Sequence, residues 1–210
     1  SGTLYLSSMI SESTPRVAFE GKIKKLYAAL SKNNIAISGI STNSTTQVLV
    51  PNDSIDYIFT DPPFGGNLNY SELSFLWEAW LKVFTNQKTE AIINAVQGKG
   101  LLEYQSLMTQ CFSECYRILK PGRWMTVEFH NSQNSVWNAI QESLQRSGFI
   151  IADVRTLDKQ QGSFKQVTTT SAVKQDLVIS AYKPKESFKR EFISHAGSEE
   201  TAWSFVRQHL

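Results

Sequence analysis

The sequence has few of the features that would set it apart from ordinary globular proteins. Only two of its 210 residues are cysteines, Cys111 and Cys115, which excludes a disulfide framework and fits a reducing compartment. No apolar run reaches the length of a membrane span, and no basic segment followed by an apolar one marks a signal peptide. We therefore expect a cytoplasmic protein. The formal net charge is only +2, so any nucleic-acid surface would have to be a local patch.

The composition predicts a soluble chain with a sizeable core, because 41% of the residues are hydrophobic and 19% are charged. The sequence does not begin with Met, which suggests a piece of a longer protein. We expect an N-terminal helical segment at residues 1–34, a main domain at 35–183 and a C-terminal helical appendage at 184–210. The two cysteines are four positions apart on a predicted helix, with no His or Cys pair nearby. They are therefore predicted to be buried, and no metal site is expected.

Apolar periodicity and turn residues predict an alternation of helices and strands. The predicted helices cover residues 12–31, 70–84, 101–119, 135–146 and 198–210, and the predicted strands cover residues 33–41, 55–60, 124–129, 149–157 and 176–182. This order is typical of an α/β protein with a doubly wound, mostly parallel sheet. The last two strands have no helix between them, so they should form an antiparallel hairpin at one edge.

Two predictions concern burial. The strand at 55–60 is almost continuously apolar, which favours burial on both of its faces. In the helix at 70–84, Trp77 and Trp80 share a stripe with other apolar residues. That spacing favours core packing over a role as stacking platforms for bases.

The stretch SIDYIFTDPPFGGNLNYSEL, residues 54–73, ends a strand in a stiff polar corner. A proline restricts the residue before it to extended conformations, so neither Asp61 nor Pro62 can turn back into a helix. Pro62 and Pro63 also lack N–H groups. The corner therefore offers acceptors, namely the Asp61 carboxylate and the carbonyls of Asp61 and Pro62. Phe64 adds a flat apolar face, and the two glycines after it allow a close approach to the backbone.

Two acceptors beside an aromatic face suit a planar ring that carries an amino group. The ring would stack on Phe64, while its two N–H bonds point at the Asp61 carboxylate and at a carbonyl. Such hydrogen bonds localise the amino lone pair and make the nitrogen nucleophilic toward an electrophile placed opposite. The carboxyl end of a strand is also where open α/β sheets bind ligands. A simple rigid turn is the alternative interpretation, because Asp-Pro often starts a turn.

The segment TDPPFGGNLNYSEL resembles the Asp-Pro-Pro-aromatic motif of the DNA amino-methyltransferases, which use S-adenosylmethionine (SAM) to methylate the exocyclic amine of adenine or cytosine. RILKPGRWMTVEFHN resembles the helix, turn and strand that follow in that family, and GFIIADVRTLDKQQ with QDLVISAYKP resembles its closing strands. The resemblance covers roughly residues 40–183. It implies a Rossmann-like SAM-dependent methyltransferase fold, SAM as cofactor and DNA as partner. The catalytic residues would be Asp61, Pro62, Pro63 and Phe64, acting on a base flipped out of the duplex.

The sequence departs from that family in one respect. The family binds SAM mainly through a Phe-x-Gly-x-Gly loop after its first strand and an acidic residue after the next strand, and neither precedes Asp61 here. The candidate after it, ISHAGSEE at residues 193–200, has a single glycine and is typical of a helix start. The domain at 35–183 is therefore expected to be the catalytic half of a methyltransferase. The SAM-binding half would be an upstream part of the same protein or a second subunit, or would have been lost.

Further residues are candidates for contacts with SAM or with the nucleic acid. For SAM they are Asp61, Thr60 and Asn43. For the base and the DNA they are Asn67, Tyr70, Lys99, His130, Lys159, Phe164 and Lys165. In the polar segment that holds the last three, basic, hydroxyl and amide residues surround one aromatic, which suits phosphate contacts and base insertion.

These candidates have structural alternatives. Asn69 could cap the helix that starts at Tyr70, and Lys99 could lie in a flexible loop. His130, in the strand-ending stretch EFHN, could hold another group in place rather than act as a base. The polar segment near residues 159–174 could be a solvated hairpin loop.

The resemblance favours adenine over cytosine, because it associates Asp at the first motif position with adenine and Ser with cytosine. A tRNA guanine amino-methyltransferase is an alternative, since its motif also resembles DPPFG, although no RNA-binding appendage is visible. Another alternative is a non-catalytic nucleic-acid-binding half that supports an active partner. Methylation of a protein glutamine is less favoured, because that group carries Asn where Asp61 stands.

Overall fold

A computed structural model describes the chain at residues 14–31, 44–66, 68–131, 133–158 and 175–187. The chain forms two compact units, Ser1–Asn43 and Ser44–Leu210. The first unit contains helix α1 (Pro15–Leu30), with Pro15 in its first turn as the sequence predicts. The Thr14 side chain caps this helix by accepting a hydrogen bond from the Val17 N–H. No helix in the described ranges combines the length and the apolarity needed to cross a membrane.

The described residues of the second unit form four strands and three helices. In chain order they are β1 (Ile55–Thr60), α2 (Tyr70–Leu81), α3 (Leu101–Ile118), β2 (Leu119–Phe129), α4 (Asn134–Arg146), β3 (Ile150–Asp158) and β4 (Gln175–Lys183). The sequence predicts each of them, but β2 starts at Leu119 rather than at residue 124, so the KPG stretch lies inside the strand. The predicted strand at 33–41 and the predicted helix at 198–210 lie outside the described residues.

The four strands form one mixed sheet in the order β1-β2-β4-β3. β1 and β2 are parallel, whereas β4 is antiparallel to both β2 and β3. The α/β class and the antiparallel hairpin at one edge are therefore confirmed. Parallel strands must be joined by a crossover connection. The connection between β1 and β2 contains the corner at residue 61 and the helices α2 and α3.

The core lies between one face of this sheet and the helices α3 and α4. Alternate residues of β2 and β4 point to that face, as expected for strands. The buried residues from the strands are Met125, Val127, Phe129, Ile179 and Ala181, and those from the helices include Tyr104, Met108, Phe112, Ile140 and Leu144. This packing places the start of α3 and the start of α4 beside the carboxyl ends of β1 and β2.

The structure contradicts both predictions about burial. Tyr57 and Phe59 of β1 are 54% and 60% exposed, because β1 is the end strand of the described sheet and no described helix covers that side of it. Trp77 and Trp80 of α2 are 71% and 85% exposed. The apolar stripe on α2 is present, but no other described helix or strand packs along it. Ser71 is the only residue of α2 that is buried among the described residues. Periodicity identified the stripe correctly but could not show what covers it.

Candidate active site

The predicted corner leaves the carboxyl end of β1, next to the carboxyl end of the parallel strand β2. The Asp61 side chain is exposed, whereas Pro62 is buried. Gly65 turns the chain with a φ of 67°, a left-handed conformation that glycine adopts without strain. A Cβ at Gly65 would lie 3.1 Å from Cγ1 of Val136. The corner therefore packs directly against α4.

Three consecutive carbonyls of the corner are held by three different parts of the chain. The hydroxyl of Tyr104 in α3 donates to the carbonyl oxygen of Pro63 at 2.6 Å. The Nδ2 of Asn131, just after β2, donates to the carbonyl of Phe64 at 2.9 Å. The backbone N–H of Ile93 donates to the carbonyl of Gly65 at 3.2 Å. These bonds fix the backbone immediately after Asp61 and Pro62, which are the proposed acceptor positions.

The Phe64 ring is supported by two other rings. Phe129 meets it edge-on, with centroids 5.4 Å apart and planes at 86°, and His130 lies at 6.1 Å and 62°. Phe129 is in turn packed edge-on against Trp137 at 4.9 Å. Phe64 is only partly buried, so a planar ligand could reach the part of the ring that these neighbours leave open.

Two phenols beside the corner remain protonated at neutral pH. Burial raises the pKa of Tyr70, a hydrogen bond with the Phe64 backbone opposes that shift, and the negative charge of Asp61 adds to it. Burial also raises the pKa of Tyr104. Both hydroxyls can therefore act as neutral hydrogen-bond donors, and neither is a phenolate that would compete with Asp61 for a positively charged amine.

The start of α2 is tied to the loop before α3 by a polar cluster. Glu90 accepts hydrogen bonds from the backbone N–H and the hydroxyl of Ser71, each at 2.8 Å. Lys99, a predicted phosphate contact, is only 6% exposed, and its ammonium donates to the carbonyls of Gln87 and Glu90. Because its donors are used inside the protein, we do not include Lys99 in the proposed DNA surface.

His130 follows the last residue of β2 and faces Asp176 of β4. The distance between His130 Nδ1 and Asp176 Oδ1 is 2.6 Å. Asp176 is buried, with a relative exposure of 3%. The predicted candidate His130 thus lies beside Phe64 and in close contact with a carboxylate from the neighbouring strand.

The structure brings six of the predicted site residues to one corner. They are Asp61, Pro62, Pro63, Phe64, Tyr70 and His130, and Thr60 ends the strand that leads to them. The candidates Asn43, Asn67, Lys159, Phe164 and Lys165 lie outside the described residues. Asn69 occupies the N-cap position of α2, but its side chain makes no capping hydrogen bond.

Sequence reasoning missed Tyr104 and Asp176. Tyr104 fits the apolar face of α3 like any core aromatic, and only the tertiary packing shows that its hydroxyl reaches Pro63. Asp176 is a single acidic residue at the start of a strand, a position that is usually solvated. What distinguishes Asp176 is its position opposite His130. That position follows from the register of β4 on β2, which the sequence alone does not give.

Both cysteines lie on α3, where Cys115 is buried as predicted and Cys111 is only partly buried. Burial raises the pKa of Cys111 to about 11 and that of Cys115 to about 12. Both thiols are therefore neutral and unreactive at physiological pH. Within the described ranges, no group of three or more His, Cys, Asp and Glu side chains is arranged to hold a metal ion.

A family comparison matches most of the second unit. The family model for DNA methylase matches residues 55–209, a range that starts at β1 and includes the corner and the whole described sheet. A comparison with curated proteins found no match.

Solved structures with a similar backbone are distant in sequence. A Thermus thermophilus protein described as a DNA modification methylase shares 14% identity with a TM-score of 0.39, and the match covers 65% of this chain and 48% of that one. A SAM-dependent methyltransferase of Methanosarcina mazei shares 12% identity with a TM-score of 0.39 and 78% coverage of both chains. The [4+2]-cyclase SpnF shares 12% identity with a TM-score of 0.43, covering 82% of this chain and 64% of that one. The chain thus spans about half of the T. thermophilus protein, and likenesses this weak support no functional assignment.

Proposed function

Because the chain belongs to the DNA methylase family, we propose that it transfers a methyl group from SAM to the exocyclic amino group of a DNA base, with adenine favoured over cytosine. The observation that carries this proposal is the fixed corner at residues 61–66. The exposed Asp61 carboxylate and the carbonyl of Pro62 lie there beside the partly exposed ring of Phe64. The backbone behind them is held by hydrogen bonds from Tyr104, Asn131 and Ile93.

Each residue of the corner has a defined role in this proposal. The Asp61 carboxylate and the carbonyl of Pro62 accept the two N–H bonds of the target amine, which keeps its lone pair out of the ring. Phe64 stacks on the base and orients the nitrogen. Acceptors that are already in place stabilise the positive charge that develops on the nitrogen, without first having to reorganise. SAM, when bound, would supply an electrophilic methyl group whose bond to sulfur breaks as the bond to nitrogen forms, so that S-adenosylhomocysteine leaves with the electron pair and the amine gives up one proton to water.

The base is proposed to leave the duplex to reach this corner. The amine of a paired base is engaged in the helix and cannot meet Asp61 and Pro62 together, and stacking on Phe64 would replace the lost stacking with neighbouring bases. The formal charge of only +2 for the whole chain means that DNA affinity must come from local contacts. The predicted segment with Lys159, Phe164 and Lys165 remains the candidate for these contacts.

The described residues fit the acceptor amine better than they fit SAM. Of the SAM candidates, Asp61 and Thr60 are at the corner, but no glycine-rich loop precedes them in the sequence. We propose that a further SAM-binding part lies along β1. Within the described sheet β1 pairs only with β2, and its exposed Tyr57 and Phe59 would be covered by an added strand and helix.

Calorimetry tests where SAM binds. SAM is titrated into the 210-residue chain alone and, separately, into any larger protein or complex that contains it. Binding only in the larger assembly supports a SAM site shared with a second part. Micromolar binding by the 210-residue chain alone would mean that the chain contains a complete site and that the proposed addition at β1 is wrong.

Product analysis tests the reaction. The protein is incubated with SAM carrying a labelled methyl group and with unmethylated genomic DNA or unmodified tRNA, and the nucleosides are separated by mass. We expect N6-methyladenine in DNA. N4-methylcytosine would support amine methylation of DNA but show that the target base is cytosine. Methylguanosine in tRNA, with no methylated base in DNA, would favour the tRNA guanine alternative. If neither DNA nor tRNA is methylated, the result would instead favour the alternative that the chain is a non-catalytic nucleic-acid-binding half.

A further inference from the structure

The two residues that follow β2 both hold Phe64. Asn131 donates to its carbonyl at 2.9 Å, and the His130 ring lies against its ring with centroids 6.1 Å apart. Asn131 is itself fixed, because its Oδ1 accepts from the Gln133 N–H at 2.7 Å. The two residues after β2 therefore contact Phe64 in two places: Asn131 binds its backbone carbonyl, and His130 packs against its ring.

Asp176 contacts the His130 ring and restricts its orientation beside Phe64. The strand register pairs Phe129 with Leu177, so His130 and Asp176 are opposite each other at the end of the β2–β4 ladder. His130 Nδ1 is 2.6 Å from Asp176 Oδ1, which is within hydrogen-bonding distance, although the orientation of the ring in this structure does not give Nδ1 a hydrogen-bond partner. The Asp176 side chain is 5% exposed and that of His130 is 24% exposed. A contact this close with so buried a carboxylate restricts the rotation of the imidazole.

We propose that Asp176 is a positioning residue for the methyl-transfer site. It holds His130 against Phe64, and His130 together with Phe129 fixes the plane on which the target base stacks. This inference rests on the proposed function, because it assigns the pair a role only if a base lies on Phe64. It adds Asp176 and the ring of His130 to the site without giving either of them a bond-making step.

The arrangement of rings explains why a second support is needed. Phe129 contacts Phe64 edge-on from the core, and contact on one edge restricts the tilt of a phenyl ring less than contact on two edges does. The His130 ring, at 62° to Phe64, provides a second edge from another direction. A tilt of Phe64 would move the amine of a stacked base away from Asp61, and displacements of about 1 Å can cost about 100-fold in rate.

Three substitutions separate positioning from structural support. His130→Asn retains an N–H donor at the position of Nδ1 but removes the ring beside Phe64. Asp176→Asn retains an oxygen that can accept the Nδ1 proton, whereas Asp176→Ala does not. Asp153→Asn is the matched control, because it removes a carboxylate from the neighbouring strand β3, where Asp153 is paired with Arg155.

The first measurement is NMR of the imidazole nitrogens and needs no activity. The protein has three His residues, so spectra of the His130→Asn variant assign the His130 signals. We expect a proton on His130 Nδ1 that exchanges slowly with water in the wild type, in Asp176→Asn and in Asp153→Asn, and that exchanges rapidly in Asp176→Ala. A rapidly exchanging Nδ1 proton in the wild type would overturn the proposed pairing.

The second measurement is steady-state methylation of DNA by the full-length protein. We expect kcat to fall about 10- to 100-fold in His130→Asn and Asp176→Ala, with KM for SAM unchanged, and to recover largely in Asp176→Asn. Wild-type kcat in His130→Asn would overturn this inference alone. Absence of methylation by the wild type would overturn the proposed function, and the inference with it. Should Asp176→Ala not fold, His130→Asn still decides, since its amide N–H can still contact Asp176.

Discussion

The hydroxyl of Tyr104 lies 2.6 Å from the carbonyl oxygen of Pro63, and this hydrogen bond connects α3 to the corner after β1. Tyr104 is fully buried, at 0% exposure, so water does not compete for the bond. Asn131 and Ile93 hold the next two carbonyls. The geometry of the corner therefore depends on three distant parts of the chain as well as on the two prolines.

Replacing Tyr104 with Phe tests this connection. The change leaves the Pro63 carbonyl without its donor, which should lower the free energy of unfolding by about 1–3 kcal/mol and lower the rate of methyl transfer. Tyr57→Phe is the control, because Tyr57 also loses a hydroxyl bond, to Thr126 Oγ1 at 2.6 Å, but at an exposed site. Urea unfolding and single-turnover methylation measure both variants. Equal effects of the two substitutions would show that the Tyr104 bond has no special role.

The corner itself was predictable from the sequence for a local reason. Pro62 and Pro63 restrict their own backbone and that of Asp61 whatever the tertiary structure is, so the position of the acceptors follows from the residues alone. What holds the corner was not predictable, because it depends on which residue of α3 faces Pro63. The same limit applies to Asp176, whose partner His130 is reached only through the register of β4 on β2.

Gly65 and Gly98 offer a matched test of close packing at the corner. Both have positive φ, 67° and 65°, so an alanine at either position should cost about 1–2 kcal/mol from backbone strain. Only at Gly65 would the new Cβ meet a neighbour, Val136 Cγ1 at 3.1 Å, while a Cβ at Gly98 would have nothing within 4 Å. Gly65→Ala should therefore destabilise more than Gly98→Ala in thermal unfolding and should also reduce methylation. Identical melting temperatures would contradict the packing of the corner on α4.

The exposed tryptophans of α2 should contribute little to the stability of the chain. Trp80 is 85% exposed, so Trp80→Ala should change the free energy of unfolding by no more than about 0.5 kcal/mol. Trp137 packs on Phe129 and donates to the Asn131 carbonyl at 3.0 Å. Its replacement by Ala should cost about 3 kcal/mol. Denaturant unfolding of the two variants measures the difference, and a large loss with Trp80→Ala would mean that α2 is buried against the chain.

The contrast between α2 and α3 shows what periodicity can predict. Both helices have apolar stripes, and their extents follow from spacing and from the residues at their ends. In α3 the stripe meets the sheet, with Tyr104 and Met108 almost completely buried, whereas in α2 the stripe is exposed. Whether an apolar stripe is buried depends on where the chain places the helix relative to the sheet. The periodicity of a single segment does not contain that information.

Glu114 should stabilise the entry to β1 in a pH-dependent way. Its carboxylate accepts from Arg117 and from the Val48 N–H at 2.8 Å, and the Arg117 hydrogen bond lowers the pKa of Glu114 from 4.5 to about 2. A lowered folded-state pKa means that the stabilisation is present above the unfolded pKa and is lost as pH falls through the folded one. Glu114→Gln should therefore destabilise most at pH 7, and the difference from wild type should shrink from about pH 5 downward. Urea titrations at pH 7, 5, 4 and 3 test this, and a difference that grows on acidification would contradict it.

The role of Asp61 is tested by methylation assays on two carboxylate variants of the full-length protein. Asp61→Asn replaces the proposed acceptor at the corner, and Asp56→Asn removes a carboxylate from the same strand, where Asp56 is exposed and paired with Lys120 at 2.9 Å. We predict that Asp61→Asn lowers kcat by about 100-fold or more while Asp56→Asn retains the wild-type rate. Wild-type methylation by Asp61→Asn would contradict the assignment of this corner as the site of amine methylation.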